Sequence, residues 1–148
     1  MLFRSTIRGA LLHDVGKIGV PDHALFAPGP LSEEQWQAVR QHAEVSYRLL
    51  AAVDFLQGAA EVAYAHHERY DGSGYPRGLT GAEIPFGARI FAIADAFDAM
   101  TTDRPYRRAR SSMAARREIE RCAGTHFDPA LVEIFCRTFD EIVRRMAV

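Results

Sequence analysis

Residues Tyr64 to Pro76 read Tyr-Ala-His-His-Glu-Arg-Tyr-Asp-Gly-Ser-Gly-Tyr-Pro. Adjacent imidazoles, His66 and His67, close an Ala-rich helical stretch. A turn on Asp71, Gly72 and Gly74 follows, then Tyr75 in an exposed setting, held by Pro76. Successive helical residues point about 100° apart, so one helix face does not easily offer both rings to a single ion. Paired rings suit a cluster of cations, or one ion and one ligand, because neutral imidazole is the commonest side-chain metal ligand near neutral pH. An isolated pair would more simply be one core residue and one solvated residue. Three further ligand-like stretches weigh against that here.

Upstream, Ile7 to Leu12 is the apolar end of a helix that runs into His13-Asp14-Val15-Gly16-Lys17. His13 and Asp14 supply one nitrogen and one oxygen ligand, and the carboxylate can bridge two cations. Lys17 is the single lysine against 17 arginines, and a compact ammonium acts as a point charge where a guanidinium acts as a fork. Ile18 to Pro30, rich in Gly and Pro, predicts a loop. Ser32, with Gln35 as capping-box partner, begins a helix. Its stripe is Trp36, Val39, Ala43, Tyr47 and Leu50, with His42 beside it. A lone His in that position is usually a hydrogen-bonded core residue.

Phe55 to His67 reads as the next helix, with small residues on the His66 side that permit close packing. Arg77 to Glu83 is a polar loop. Pro85 opens a helix over Phe86 to Met100. Its apolar residues (Ile90, Phe91, Ile93, Ala94, Phe97, Met100) lie on every side, the pattern of a buried helix. That helix carries Asp95 and Asp98, three apart and so on one face. Two buried carboxylates within a turn call for cations or basic groups. The turn from Thr101 to Arg110 carries Arg104, Arg107, Arg108 and Arg110; it suits a phosphate ligand, or is simply a solvated basic loop. Ser112 caps a further helix that stops at Gly124. Asp128 and Pro129 open the last one, whose stripe of Leu131, Val132, Phe135, Phe139, Ile142, Val143 and Met146 is structural. No strand-like alternation competes, so the fold class is all-α.

A chain of 148 residues is expected to form one domain, 1–148. Its 48% hydrophobic and 25% charged content is ordinary for a soluble protein. A net charge of −1 gives no field to recruit nucleic acid or a membrane surface. No apolar run approaches the ~18 residues of a membrane segment, and no signal-peptide core opens the chain. Cys122 and Cys136 show neither metal nor disulfide-framework spacing. The cytoplasm is the expected compartment.

His13, Asp14, His42, His66, His67 and Asp95 thus come from four helical segments. They form a mixed nitrogen and oxygen set that iron, manganese or zinc accept, and facing helices are where bundles build metal sites. Two cations bridged by a carboxylate can activate water and stabilise phosphoryl oxygens. Lys17 and the Arg-rich turn would add positive charge. The residues alone predict a metal-dependent phosphohydrolase.

Four stretches, HDVGKIGVP at His13–Pro21, HHERYDGSGYPRGL at His66–Leu79, IPFGARIFAIADAFDAMTTDRPYR at Ile84–Arg107 and GTHFDP at Gly124–Pro129, resemble the HD-GYP family, a branch of the HD superfamily of metal-dependent phosphohydrolases. The resemblance implies a helical bundle that hydrolyses the bacterial second messenger cyclic di-GMP to pGpG or onward to GMP. It implies two or three transition-metal ions, iron or manganese first and zinc next. One would sit on His13, Asp14 and Asp95; Asp14 would bridge to a second on His42, His66 and His67. Asp14 and Lys17 would be the catalytic pair, with Lys17, Tyr75, Asp98, Arg104 and Arg107 at the substrate. Implied partners are cyclic di-GMP, a diguanylate-cyclase-type domain docking on Gly74-Tyr75-Pro76, and a second copy in a homodimer. Family members carry a preceding helix with a further ligand, and the sequence begins only twelve residues before His13. That helix, and any sensory domain, is expected to be lacking, which would make the chain a fragment or a weakened enzyme. The alternative is a weak or inactive module that binds cyclic di-GMP or a cyclase-type partner. Around His42, Ala43 and Ser46 replace the family's usual Pro and Gly.

Overall fold

Small residues decide how the first half packs. In the computed structural model, which describes residues 2–103 and 108–146, helix α1 (Leu2–Leu12) lies against α5 (Gln57–Ala65). A methyl group at Gly9 would fall 2.5 Å from Val62 Cβ, so only glycine allows this approach. Ala59, Ala60 and Ala63 on α5 are buried, which bears out the expectation that its Ala-rich side serves close helix packing. Helix α4 (His42–Ala51) packs on α5 and on the 3₁₀ turn Val15–Gly19. At Gly16 a methyl would meet the His42 carbonyl oxygen at 2.1 Å. Buried Ser46 completes this junction: its Oγ accepts from the Gly16 N–H (2.9 Å) and donates to the His13 carbonyl (2.7 Å). The residue that departs from the family pattern therefore ties the two segments together.

The second half is held by larger groups. Helices α6 (Phe86–Thr101), α7 (Ser112–Arg121) and α8 (Pro129–Met146) enclose Ile93, Phe97, Ile119, Phe127, Val132, Phe135 and Phe139. Phe97, Phe135 and Phe139 meet edge-to-face at 5.6–6.0 Å, the favoured geometry for aromatic pairs. Asp128 Oδ1 accepts from the Ala130 N–H and caps α8 as expected, while Asp128 Oδ2 takes Arg89 at 2.6 Å in a largely buried ion pair. Among the described residues there is no strand, only the isolated bridges Asp71–Thr80 and Ala123–Phe127, and the all-α class holds.

Several boundaries differ from the sequence reading. The helix capped by Ser32 breaks at Gln41 into α3 (Glu33–Arg40) and α4. There the His42 imidazole takes the Val39 carbonyl, and a side chain entering the ladder is a standard cause of a kink. The segment Ile18–Pro30 is not all loop, because one helical turn, α2 (Asp22–Leu25), interrupts it. Ser111, not Ser112, caps α7 through the Ala114 N–H. Nor is α6 buried all round: Phe86, Ile90 and Ala94 are exposed along an apolar groove of about 470 Å³ shared with Ile134, Phe135 and Met146 of α8.

Ser46→Ala is expected to leave the Gly16 N–H and His13 carbonyl without their buried partner, at a cost of about 1–3 kcal/mol. Thermal unfolding should show a midpoint several degrees lower; an unchanged midpoint would contradict this account of the junction.

Candidate metal centre

Three histidines are fixed by the same device. His13 Nδ1 donates to the Ala10 carbonyl (2.7 Å), His66 Nδ1 to the Ala63 carbonyl (2.7 Å), and His42 Nδ1 to the Val39 carbonyl. In the neutral rings of His42 and His66 the proton sits on Nδ1, so Nε2 carries a free lone pair, while His13 Nε2 faces the Asp14 carboxylate; such outer contacts orient metal-ligating histidines. His42 Nε2 lies 3.4 Å from His66 Nε2 and 3.2 Å from His67 Nε2. With Nδ1 protonated on His42 and His66, two lone pairs face each other without a proton between them. A cation relieves that repulsion, and on this ground the donor set fits a metal.

The ligand atoms form two groups, His42–His66–His67 and His13–Asp14–His66, each with its atoms within 4.8 Å of one another. Asp14 joins them: its Oδ2 lies 3.2 Å from His13 Nε2 and 2.6 Å from Lys17 Nζ, and its Oδ1 lies 3.5 Å from His42 Nε2. One carboxylate oxygen thus addresses each half of the cluster.

His66 and His67 meet differently from the expectation of rings splayed on a helix. Helix α5 ends at Ala65, so the 100° rule no longer governs His67. The two rings lie 3.8 Å apart and both reach His42. Tyr75 is half-buried rather than exposed, stacked on His67 at 4.6 Å.

Asp95 sits half-buried on α6, where its charge helps to raise the pKa of His13, but it belongs to neither ligand group. Asp98 does not share its burial. Residues three apart on a helix still diverge by about 60°, and Asp98 is exposed in the α6–α8 groove, accepting from Thr102 Oγ1 at 3.3 Å. The two carboxylates are therefore not a buried pair. Arg104 and Arg107 lie outside the described residues. Two groups escaped the sequence reading. Glu68, beside the paired histidines and buried, accepts from the Arg77 and Leu79 N–H groups at 2.8 and 3.0 Å. It anchors the loop that carries Tyr75, and partners of that kind leave no trace in residue spacing. Arg40, set over the Tyr75 ring at 5.4 Å, was likewise not visible.

Burial keeps three of the four imidazoles neutral. It lowers His42, takes His66 down to about 4, and, with the charges of His66 and His42, takes His67 down to about 2. For Asp14, burial alone would raise the carboxyl, but hydrogen bonds from His13 and Lys17 outweigh it and hold the group well below the usual carboxylate range. Burial likewise opposes the charged form of His13, yet the Asp14 and Ala10 hydrogen bonds raise it overall. Tyr75 is pushed up to about 12 by burial, so its phenol is a donor and not a base at neutral pH.

A model of the HD domain matches residues 4–131. The chain belongs to the HD domain family. Its relatives carry the HD-GYP branch further. A cyclic di-GMP phosphodiesterase of Thermotoga maritima is 47% identical over 135 residues, which make up 90% of this chain and 37% of that protein. A 3'3'-cGAMP-specific phosphodiesterase 2 of Vibrio cholerae is 41% identical over 134 residues, 89% of this chain and 26% of that protein. The crystal structure of a cyclic GMP-AMP-specific phosphodiesterase in V. cholerae matches with a TM-score of 0.71 at 18% identity, covering 92% of this chain and 38% of that one. That last likeness is one of fold. This HD domain chain spans roughly a quarter to two fifths of the length of these relatives. Among the described residues no helix is long and apolar enough to cross a membrane.

The geometry predicts metal stoichiometry. His67→Ala should lower bound metal by about one ion per chain, whereas Asp14→Asn, which touches both halves, should strip both. Elemental analysis decides between them, and equal losses would deny Asp14 its bridging place. A second expectation concerns pH. The unfolded chain protonates these imidazoles near 6.5, while the folded metal-free HD domain resists until about 4 at His66. Their contribution to stability is therefore complete above pH 6.5 and lost as pH falls through 4. His13 acts in the opposite sense, one ring against three. The unfolding midpoint of metal-free protein should fall steadily from about pH 7 to pH 4; a flat profile would mean the rings are not buried neutral.

Proposed function

We propose that residues 1–148 act as one HD-GYP domain, a metal-dependent phosphodiesterase that hydrolyses cyclic di-GMP to pGpG or onward to GMP. The observation that carries this reading is the division of Asp14 between the two ligand groups, the arrangement expected of a carboxylate shared by two cations. Iron or manganese suits the nitrogen-rich donor set, with zinc as the next choice. His42, His66 and His67 would hold one ion, and His13 and Asp14 the other. A bound pair supplies Lewis-acid polarisation of the phosphoryl oxygens and activation of water.

The remaining chemistry belongs to the side chains. Lys17 pairs with Asp14 at 2.6 Å and is partly exposed, so its ammonium can meet a phosphate oxygen entering at the cluster. The Tyr75 phenol, neutral and stacked on His67, can donate to the same substrate. Its inward placement supports a role at the ligand over docking of a diguanylate-cyclase-type domain. The names of the relatives support a cyclic dinucleotide as substrate and, with it, a cytoplasmic setting.

The test is a product assay on protein purified without oxygen and loaded with Mn²⁺ or Fe²⁺. Wild type should convert cyclic di-GMP, and Asp14→Ala and His66→Ala should lose on the order of 100-fold or more in kcat/KM. Metal-loaded wild type that binds cyclic di-GMP and leaves it intact would instead make this a binding module.

A further inference from the structure

The ring stacking does not stop at Tyr75. The Arg40 guanidinium lies over the Tyr75 ring at 5.4 Å and over the Trp36 ring at 5.8 Å. Trp36 and Arg40 stand four residues apart on α3, so one helix face presents both. A ladder of flat groups, His67–Tyr75–Arg40–Trp36, thus leads outward from the imidazole cluster. Beside it Arg40, Gln37, Gln41 and Tyr75 line an open cavity of about 250 Å³.

Two features say what this cavity would take. Arg40 is exposed and, among the described residues, has no carboxylate partner; Glu44, the acid at the rim, is taken by Arg48. A cation left without an anion and placed over two aromatic rings keeps its N–H groups for a ligand. The neighbouring amides of Gln37 and Gln41 offer acceptors as well as donors. Acceptors are of no use to an ionised phosphate and of direct use to a nucleobase edge. Bases outside a duplex are commonly stacked on aromatic or guanidinium planes and read along their edges. Guanine presents two acceptors, O6 and N7, that match the guanidinium fork, whereas adenine places its N6 amino donor where O6 would be.

We propose that Arg40, on the platform of Trp36 and Tyr75, reads a guanine base of the nucleotide and rejects adenine there. The phosphodiesterase reading supplies the class of ligand. The selectivity itself can be measured without turnover. Calorimetry of the full chain loaded with Mn²⁺ should show GMP bound at least about 10-fold more tightly than AMP. Arg40→Ala should bring that ratio near one by weakening GMP alone. Arg40→Lys retains the charge but not the fork, and should lose most of the ratio too. Equal binding of GMP and AMP by wild type, no binding of GMP, or a lysine variant that restores full preference would overturn the proposal. So would an alanine variant that weakens both nucleotides alike. Cyclic di-GMP turnover is scored separately. A GMP preference that depends on Arg40 in an inert wild type keeps the base site and removes the phosphodiesterase reading. Turnover with a ratio indifferent to Arg40 does the reverse.

Discussion

Each of His13, His42 and His66 gives its Nδ1–H to the carbonyl three residues earlier, and each sits where a helix has just stopped or broken: after Leu12, after Arg40 and after Ala65. The last carbonyls of a helix lack an N–H partner. Here an imidazole satisfies one in each of three helices, and the same bond aims Nε2 away from the helix. The metal centre is therefore built from helix ends, which explains why three segments distant in sequence can present equivalent atoms to one place. Helix C-termini also carry partial negative charge. Three of them gathered at one point favour a cation there before any lone pair is counted.

That same constraint explains what could and could not be read from the sequence. The identities of His13, Asp14, His66 and His67 as candidate ligands were legible because few residue types ligate metals and because these four stand in recognisable motifs, whereas His42, outside those motifs, could be placed only beside its helix stripe. Their geometry was not legible. Nothing between Ala65 and His67 resembles a glycine or proline stop, so the end of α5 is hidden in a side-chain bond to Ala63. The break before His42 is hidden in the same way. Asp98 was misplaced because three residues make an incomplete turn, and the remaining angle of about 60° is enough to carry it from the half-buried setting of Asp95 to the exposed groove. Glu68 was invisible because its partners are backbone N–H groups of a loop whose path is settled only by folding. By contrast, caps at Ser32 and Asp128 use local contacts and were read correctly.

Electrostatics and packing cooperate around the cluster. The neutral state of His42, His66 and His67 follows from burial, and that burial follows from the closeness of α4 to the Val15–Gly19 turn, which Gly16 permits, and to α5, which the alanines permit. Asp14 is the exception, half-exposed and ionised by its contacts with His13 and Lys17. One fixed anion among the nitrogens would leave bound divalent cations with net positive charge, which suits the anionic phosphodiester proposed as substrate.

The two halves of the HD domain are not equally anchored. Phenylalanines knit α6, α7 and α8, while the helices bearing the imidazoles meet through Leu50, Ala60 and Ala63, side chains that withdraw far less apolar area from water. Regions with sparse apolar burial are the first to open in native-state exchange. Amide hydrogens of α4 and α5 would then trade with deuterium ahead of those in α8. A divalent ion gripping several helix ends at once would act as a staple for the softer lobe and even out that gradient.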